Sequence, residues 1–165
     1  MISDSKLKTA TMTDTLTKEQ FVEMLRPLAE ALQAIDVDAA DAAAQAEKIA
    51  AFGGKTIAAI RAAATAHIDS DWLLPKEAGG VRFGRVAKEL CGFSVDCVFM
   101  NSPGPRHRHP DGEIDLCFAT KGASRFDGQP EGWVVYGKGS EHVPTVTDGE
   151  MLILYFLPGG KIEFL

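Results

Sequence analysis

The chain has 165 residues, 45% of them hydrophobic and 24% charged, with a formal net charge of −6 and a pI near 5.2. That length suits one well-buried domain, and an acidic balance without a concentrated basic patch argues against nucleic acid as a partner, because phosphate binding draws on clustered Lys and Arg. Cys91, Cys97 and Cys117 are odd in number and lack C-x2-C spacing, so a disulfide framework and a zinc knuckle are not expected and a reducing cytoplasm is.

Residues 1–15 are polar and Thr-rich, with no cationic segment leading into a long apolar run, and no later stretch approaches membrane-spanning length. A disordered leader is expected there, with Met12 as an alternative start. Thr17-Lys18-Glu19-Gln20 has the form of a capping box, and Phe21, Leu25, Leu28, Leu32 and Ile35 recur at helical spacing to give one apolar stripe. Pro27 removes a backbone donor inside that helix. The alanine-rich run from Asp38 to Phe52 predicts a second helix stopped by Gly53-Gly54, and Lys55 to Ala66 predicts a third. Their small side chains permit close helix packing, so residues 16–75 are expected to form a helical segment lying on the rest of the chain or on a partner subunit. His67 follows this stretch, where a helix-end or solvent role is expected.

After Trp72-Leu73-Leu74-Pro75 and Gly79-Gly80 the pattern changes to short strands. Val81 to Val86, Phe93 to Met100, Ile114 to Ala119 and Trp133 to Tyr136 are rich in β-branched and aromatic residues between turns. Met151 to Leu157 is nearly all apolar, as in a strand buried on both faces, and Pro158-Gly159-Gly160 turns the chain into a last strand over Lys161 to Phe164.

The chemistry concentrates in Gly104-Pro105-Arg106-His107-Arg108-His109-Pro110-Asp111-Gly112-Glu113 and in Gly139-Ser140-Glu141-His142, which together use three of the four histidines. On an extended strand, residues two apart share a face, so His107 and His109 can aim at one point. The Pro-Asp-Gly turn can return Glu113 to that point, and His142 supplies a fourth ligand from a distant strand. Three nitrogens and one oxygen suit a divalent transition metal, Fe, Mn, Ni, Cu or Zn, over Ca or Mg. Arg106 and Arg108 alternate with the histidines and are expected on the opposite face, as is Glu141 beside His142. Asp115, two residues beyond Glu113, is expected on its side, as an acid–base group or as a carboxylate orienting a ligand.

The spacing H-x-H-x3-E followed by G-x2-H resembles the two motifs of the cupin superfamily, which implies a mostly β fold: a single antiparallel jelly-roll barrel over residues 76–165, preceded by the helical segment and holding one metal. More narrowly, His107 to Leu116, Gly132-Trp133, Gly139 to Val146 and Phe156-Leu157-Pro158-Gly159-Gly160-Lys161-Ile162 resemble, in order, the 4-hydroxylaminobenzoate lyases. That resemblance covers roughly residues 93–165 and implies conversion of 4-hydroxylaminobenzoate and water into 3,4-dihydroxybenzoate and ammonia. It implies a metal held by His107, His109, Glu113 and His142; Glu113 and, from its strand position, Asp115 are the candidate catalytic carboxylates.

A benzoate carboxylate calls for a cation, for which Arg82, Arg85 and Arg125 are candidates, and Trp133, Tyr136 and Tyr155 are candidates to line an aromatic pocket or to form core. An Fe(II) dioxygenase and a non-catalytic small-molecule-binding cupin are the alternative readings of the same ligands. The expected partner is a small aromatic acid, with no membrane or nucleic acid, and the expected assembly is a homodimer.

Overall fold

The structure, a computed structural model, describes residues 16–165; the leader expected over 1–15 lies outside the described residues. Three helices come first among these residues: α1 (Lys18–Leu32), α2 (Ala42–Ile49) and α3 (Lys55–Ala66). The capping box forms as expected. The Thr17 hydroxyl accepts from the Gln20 amide at 3.1 Å and the Gln20 side chain accepts from the Thr17 amide at 2.9 Å. The helix continues through Pro27, and its stripe of Phe21, Leu25, Leu28 and Leu32 is buried.

The second helix is shorter than its alanine content predicts. Asp36 to Asp41 forms turns instead, with the Asp36 carboxylate accepting from the Asp38 amide at 3.0 Å, and Ala50 leaves the helix in an extended conformation. Aspartates compete for their own backbone in this way and delay helix entry. The third helix matches its predicted span.

The strands are β1 (Lys76–Ala78), β2 (Val81–Leu90), β3 (Phe93–Met100), β4 (His107–His109), β5 (Glu113–Lys121), β6 (Arg125–Phe126), β7 (Gly132–Tyr136), β8 (Ser140–His142), β9 (Val146–Thr147), β10 (Glu150–Pro158) and β11 (Glu163–Phe164). The last begins two residues later than predicted, because Gly159 and Gly160 at positive φ carry the turn onward. All the pairings are antiparallel and fall into a six-stranded sheet ordered β1-β2-β3-β10-β5-β7, a three-stranded sheet β11-β4-β8 and a two-stranded sheet β6-β9. The fold is mostly β, with helices preceding the sheets.

Strand alternation divides the large sheet into two faces. Leu116, Phe118, Leu152, Leu154 and Phe156 point to one face and share a core with Phe21, Leu25, Leu32, Ile57 and Ile60 of the helices. Cys117, Met151, Ile153 and Tyr155 point to the other face, where Phe126 and Val146 of the two-stranded sheet cover them. The central strand β10 is therefore buried on both sides, as its apolar run predicts. Each fully buried Leu, Ile or Phe contributes about 1.5–3 kcal/mol by leaving water, and β10 supplies such residues to both cores. Glu113 and Asp115 lie on the second face, so the helices stabilise the sheet from behind while the carboxylates look toward the small sheets.

Candidate metal centre

Three elements meet to build the site. β4 carries His107 and His109 on one face, β8 pairs with it so that His107 stands opposite His142, and β5 delivers Glu113 from the main sheet. The link between β4 and β5 is a tight turn that ends at Gly112, whose amide donates to the His109 carbonyl at 3.2 Å. Gly112 has φ +84, and a Cβ there would lie 2.7 Å from the Tyr136 carbonyl oxygen and 2.8 Å from a Val37 methyl. Only glycine fits this corner, and the corner aims Glu113 at the histidines.

The Nε2 atoms of His107 and His109 are 2.9 Å apart and those of His109 and His142 are 3.0 Å apart, while Glu113 Oε2 touches His109 Nε2. Four ligand atoms, one from each residue, all lie within 4.8 Å of one another. His107, His109 and Glu113 are buried, and His142 is partly exposed. His107 Nδ1 faces the Pro105 carbonyl at 3.0 Å and His142 Nδ1 faces Asp127 Oδ2 at 2.7 Å. Both partners are acceptors, which assigns the proton of each neutral ring to Nδ1 and leaves the Nε2 lone pair facing inward.

Converging lone pairs and a buried carboxylate repel unless a cation lies between them. Imidazole nitrogens about 2.1 Å from one ion and at roughly right angles would be about 3.0 Å apart, which is the spacing found. The donor set fits one divalent transition metal, and its mixture of imidazole and carboxylate is characteristic of such ions.

Burial lowers the pKa of His107, with the Pro105 carbonyl opposing, so this imidazole favours the neutral, ligating form. Burial pushes the Glu113 carboxyl up, but hydrogen bonding from Asp115 and His109 outweighs it and leaves the group below its ordinary value. Asp115 behaves oppositely. Burial first, and then the neighbouring Glu113 charge, raise its carboxyl well above the usual range. Neither Asp115 oxygen has a hydrogen-bond partner supplied by a described donor, so of this carboxylate pair Glu113 carries the charge and Asp115 the proton.

The other predicted residues are distributed unequally. Tyr155 lies directly opposite Asp115 in the β10–β5 register, on the site face. Trp133 is on the reverse face, opposite Leu116, and its indole N–H donates to the Ala50 carbonyl at 2.8 Å, so it belongs to the helix-side core rather than to the site. Arg82 also faces the helices, donating to the Ile68 carbonyl at 2.6 Å. Arg125 is exposed and donates to the Gly128 carbonyl at 3.1 Å. Arg85 shares the Asp96–Tyr155–Asp115 row of the site face but is already matched by Asp96, at 2.9 Å. Arg106 and Arg108 pair outward with Glu141 at 2.8 Å and Glu163 at 3.5 Å, as strand alternation predicts. His67 caps α3, buried against Trp72, and stands apart from the site.

Sequence reasoning missed Asp127. It bonds the His142 ring, accepts from the Thr145 amide at 2.8 Å and takes the Tyr136 hydroxyl. Burial raises its carboxyl, yet the His142, Tyr136 and Thr145 hydrogen bonds prevail and hold it below its ordinary value. In sequence, Asp127-Gly128 carries only the signal of a turn.

A family model described as 4-hydroxylaminobenzoate lyase matches residues 25–164. A curated 4-hydroxylaminobenzoate lyase of Nocardioides sp. (strain LMS-CY) is 31% identical over 107 residues, covering 56% of this chain and 63% of that protein. One from Pseudomonas putida is 30% identical over 88 residues, covering 44% and 50% respectively. The chain therefore spans less than two thirds of these curated relatives. Among solved structures, an RmlC-like cupin from Ralstonia eutropha JMP134 is similar with a TM-score of 0.41 and 13% identity, over 57% of this chain and 66% of that one. An oxalate oxidase in complex with glycolate gives 0.40 and 16%, over 55% and 57%.

Proposed function

The chain belongs to the 4-hydroxylaminobenzoate lyase family, and from that premise we propose that it is a metal-dependent carbon–nitrogen lyase converting 4-hydroxylaminobenzoate and water into 3,4-dihydroxybenzoate and ammonia. The observation that supports this reading is the convergence of three imidazole Nε2 atoms and the Glu113 carboxylate where the β11-β4-β8 sheet meets the large sheet. His107, His109, Glu113 and His142 would hold the ion. When bound, Fe, Mn, Ni, Cu or Zn supplies a Lewis acid for a departing or attacking oxygen.

The remaining work falls to the chain. Breaking the substrate N–O bond without net redox chemistry requires a proton on the departing oxygen, so that it leaves as water. Asp115 is buried on the face that Glu113 occupies, where burial and the neighbouring Glu113 charge raise its carboxyl well above the usual range and keep a proton on it. In this proposal Asp115 passes that proton to the departing oxygen. The carboxylate so formed takes a proton back from the water that adds to the ring. A further water hydrolyses the ring imine and releases ammonia, so one water leaves, two enter and the net consumption is one. Tyr155 and Tyr136 form aromatic walls beside this region, and burial of His109 and Glu113 keeps bulk water from the proton store. The same proposal places the protein as a homodimer in a reducing cytoplasm, in keeping with three free thiols. Among the described residues no helix is long and apolar enough to cross a membrane.

Asp115→Asn keeps the shape of the side chain and removes the transferable proton. Metal content is expected to stay at the wild-type level, by elemental analysis, while kcat falls about 10²-fold or more, the usual contribution of a positioned acid or base. Wild-type kcat in that variant would remove Asp115 from the mechanism. The proposed reaction itself is tested by anaerobic incubation of metal-analysed protein with 4-hydroxylaminobenzoate. Equal amounts of ammonia and 3,4-dihydroxybenzoate are expected, and turnover that requires oxygen would overturn the lyase reading.

A further inference from the structure

The three ligating histidines are held from behind in three different ways. His107 Nδ1 faces a backbone carbonyl, His142 Nδ1 faces the Asp127 carboxylate, and His109 Nδ1 is buried without a partner among the described residues. Only His142 is braced by a side chain, and that side chain is itself fixed. Asp127 sits at φ +49 between β6 and the Gly128 turn, with its amide donating to the Thr145 carbonyl at 2.8 Å. Its Oδ1 accepts from the Thr145 amide at 2.8 Å, and its Oδ2 accepts from both His142 Nδ1 and the Tyr136 hydroxyl. The Tyr136 ring lies over His142 with centroids 4.3 Å apart, and Phe126 meets the same imidazole edge-on at 6.1 Å.

We infer that Asp127 is a positioning residue: with Tyr136 it fixes the tautomer and plane of His142, the most exposed of the three imidazoles, and so sets how tightly the fourth ligand is held. The inference rests on the metal-centre reading above. Its physical basis is that both Asp127 oxygens are acceptors facing donors. His142 enters from a three-residue strand, and the β8 backbone alone leaves rotation of its ring free. A carboxylate behind a ligating imidazole locks that rotation and raises the basicity of the ligand, and loss of such a group costs about 10–100-fold in metal affinity. Asparagine cannot replace it. With one oxygen, it must turn its NH2 toward either the Thr145 amide or the His142 Nδ1–H, setting donor against donor.

The test is competition of Co(II) against a chelator, on full-length protein stripped of metal, for wild type, Asp127→Asn, His142→Ala and the double variant, with Tm recorded for each. Wild type is expected to bind one Co(II) per chain, and Asp127→Asn about 10–100-fold more weakly with an altered visible spectrum. The double variant is expected to bind no more weakly than His142→Ala alone, because the effect of Asp127 passes through that ring. A lower Tm with unchanged Co(II) affinity would make Asp127 a turn residue only and overturn the inference, as would additive losses in the double variant. Failure of wild type to bind Co(II) would overturn the metal-centre reading and this inference with it. Where Asp127→Asn does not fold, Asp127→Ala with added formate replaces it. Recovery of affinity by formate in the variant, without a gain in wild type, supports positioning, and absence of recovery contradicts it.

Discussion

His109→Ala is expected to abolish metal retention and turnover together. His109 occupies the middle of the cluster, with its Nε2 within 3.0 Å of both other imidazoles and against Glu113. Removing it deletes one of four ligands and leaves Glu113, buried to 1% exposure, without its nearest partner. A ligand loss exceeds the 10–100-fold cost of losing a supporting group, so metal affinity should fall by more than about 100-fold. Dialysed His109→Ala should therefore contain no stoichiometric metal by elemental analysis and show no product above background. Retention of a full equivalent of metal would mean that the ion, if bound, sits elsewhere.

Gly149→Ala is expected to be the most damaging small substitution outside the site. Gly149 connects β9 to β10 at φ +148, and a Cβ there would lie 1.8 Å from the Lys121 carbonyl oxygen and 2.9 Å from its carbon. The obstacle is backbone, which cannot swing aside as a side chain can. The turn lies next to the irregularity between Glu150 and Met151 where β10 begins to pair with β5. Displacing it disturbs the strand that feeds both cores. Backbone strain of about 1–3 kcal/mol and forced displacement of about the same size together give roughly 2–6 kcal/mol. For a chain of this size each kcal/mol lowers Tm by about 2–4 °C, so a fall of around 10 °C or more is expected by calorimetry. A Tm within 2 °C or so of wild type would show that the β9–β10 turn has freedom that the close contact denies it.

What could be read in advance depended on whether the signal was local. The capping box at Thr17, the stripe from Phe21 to Leu32 and the doubly buried strand over Met151–Leu157 are periodic or short-range patterns, and each takes the predicted form. The convergence of His107, His109, Glu113 and His142 was legible because two of them are two residues apart and the third follows a turn; only His142 had to be brought from afar. Asp127 was not legible, because its role depends on β6 pairing with β9 to set it behind a histidine fifteen residues away. Trp133 illustrates a different limit. Strand parity separates it from Tyr136, but which parity faces the site depends on the register with β5, where Trp133 meets Leu116 and Tyr136 meets Glu113. The shortened second helix reflects competition between alanine propensity and the aspartates that hydrogen-bond their own turns.

The most direct test is stepwise reconstitution of chelator-stripped protein with a divalent transition metal under anaerobic conditions, with bound metal and 3,4-dihydroxybenzoate formation measured on the same samples. Turnover that rises in proportion to bound metal and saturates at one ion per chain is the predicted result. Full turnover by the metal-free protein would contradict the account, and the convergence of His107, His109, Glu113 and His142 would then need another explanation.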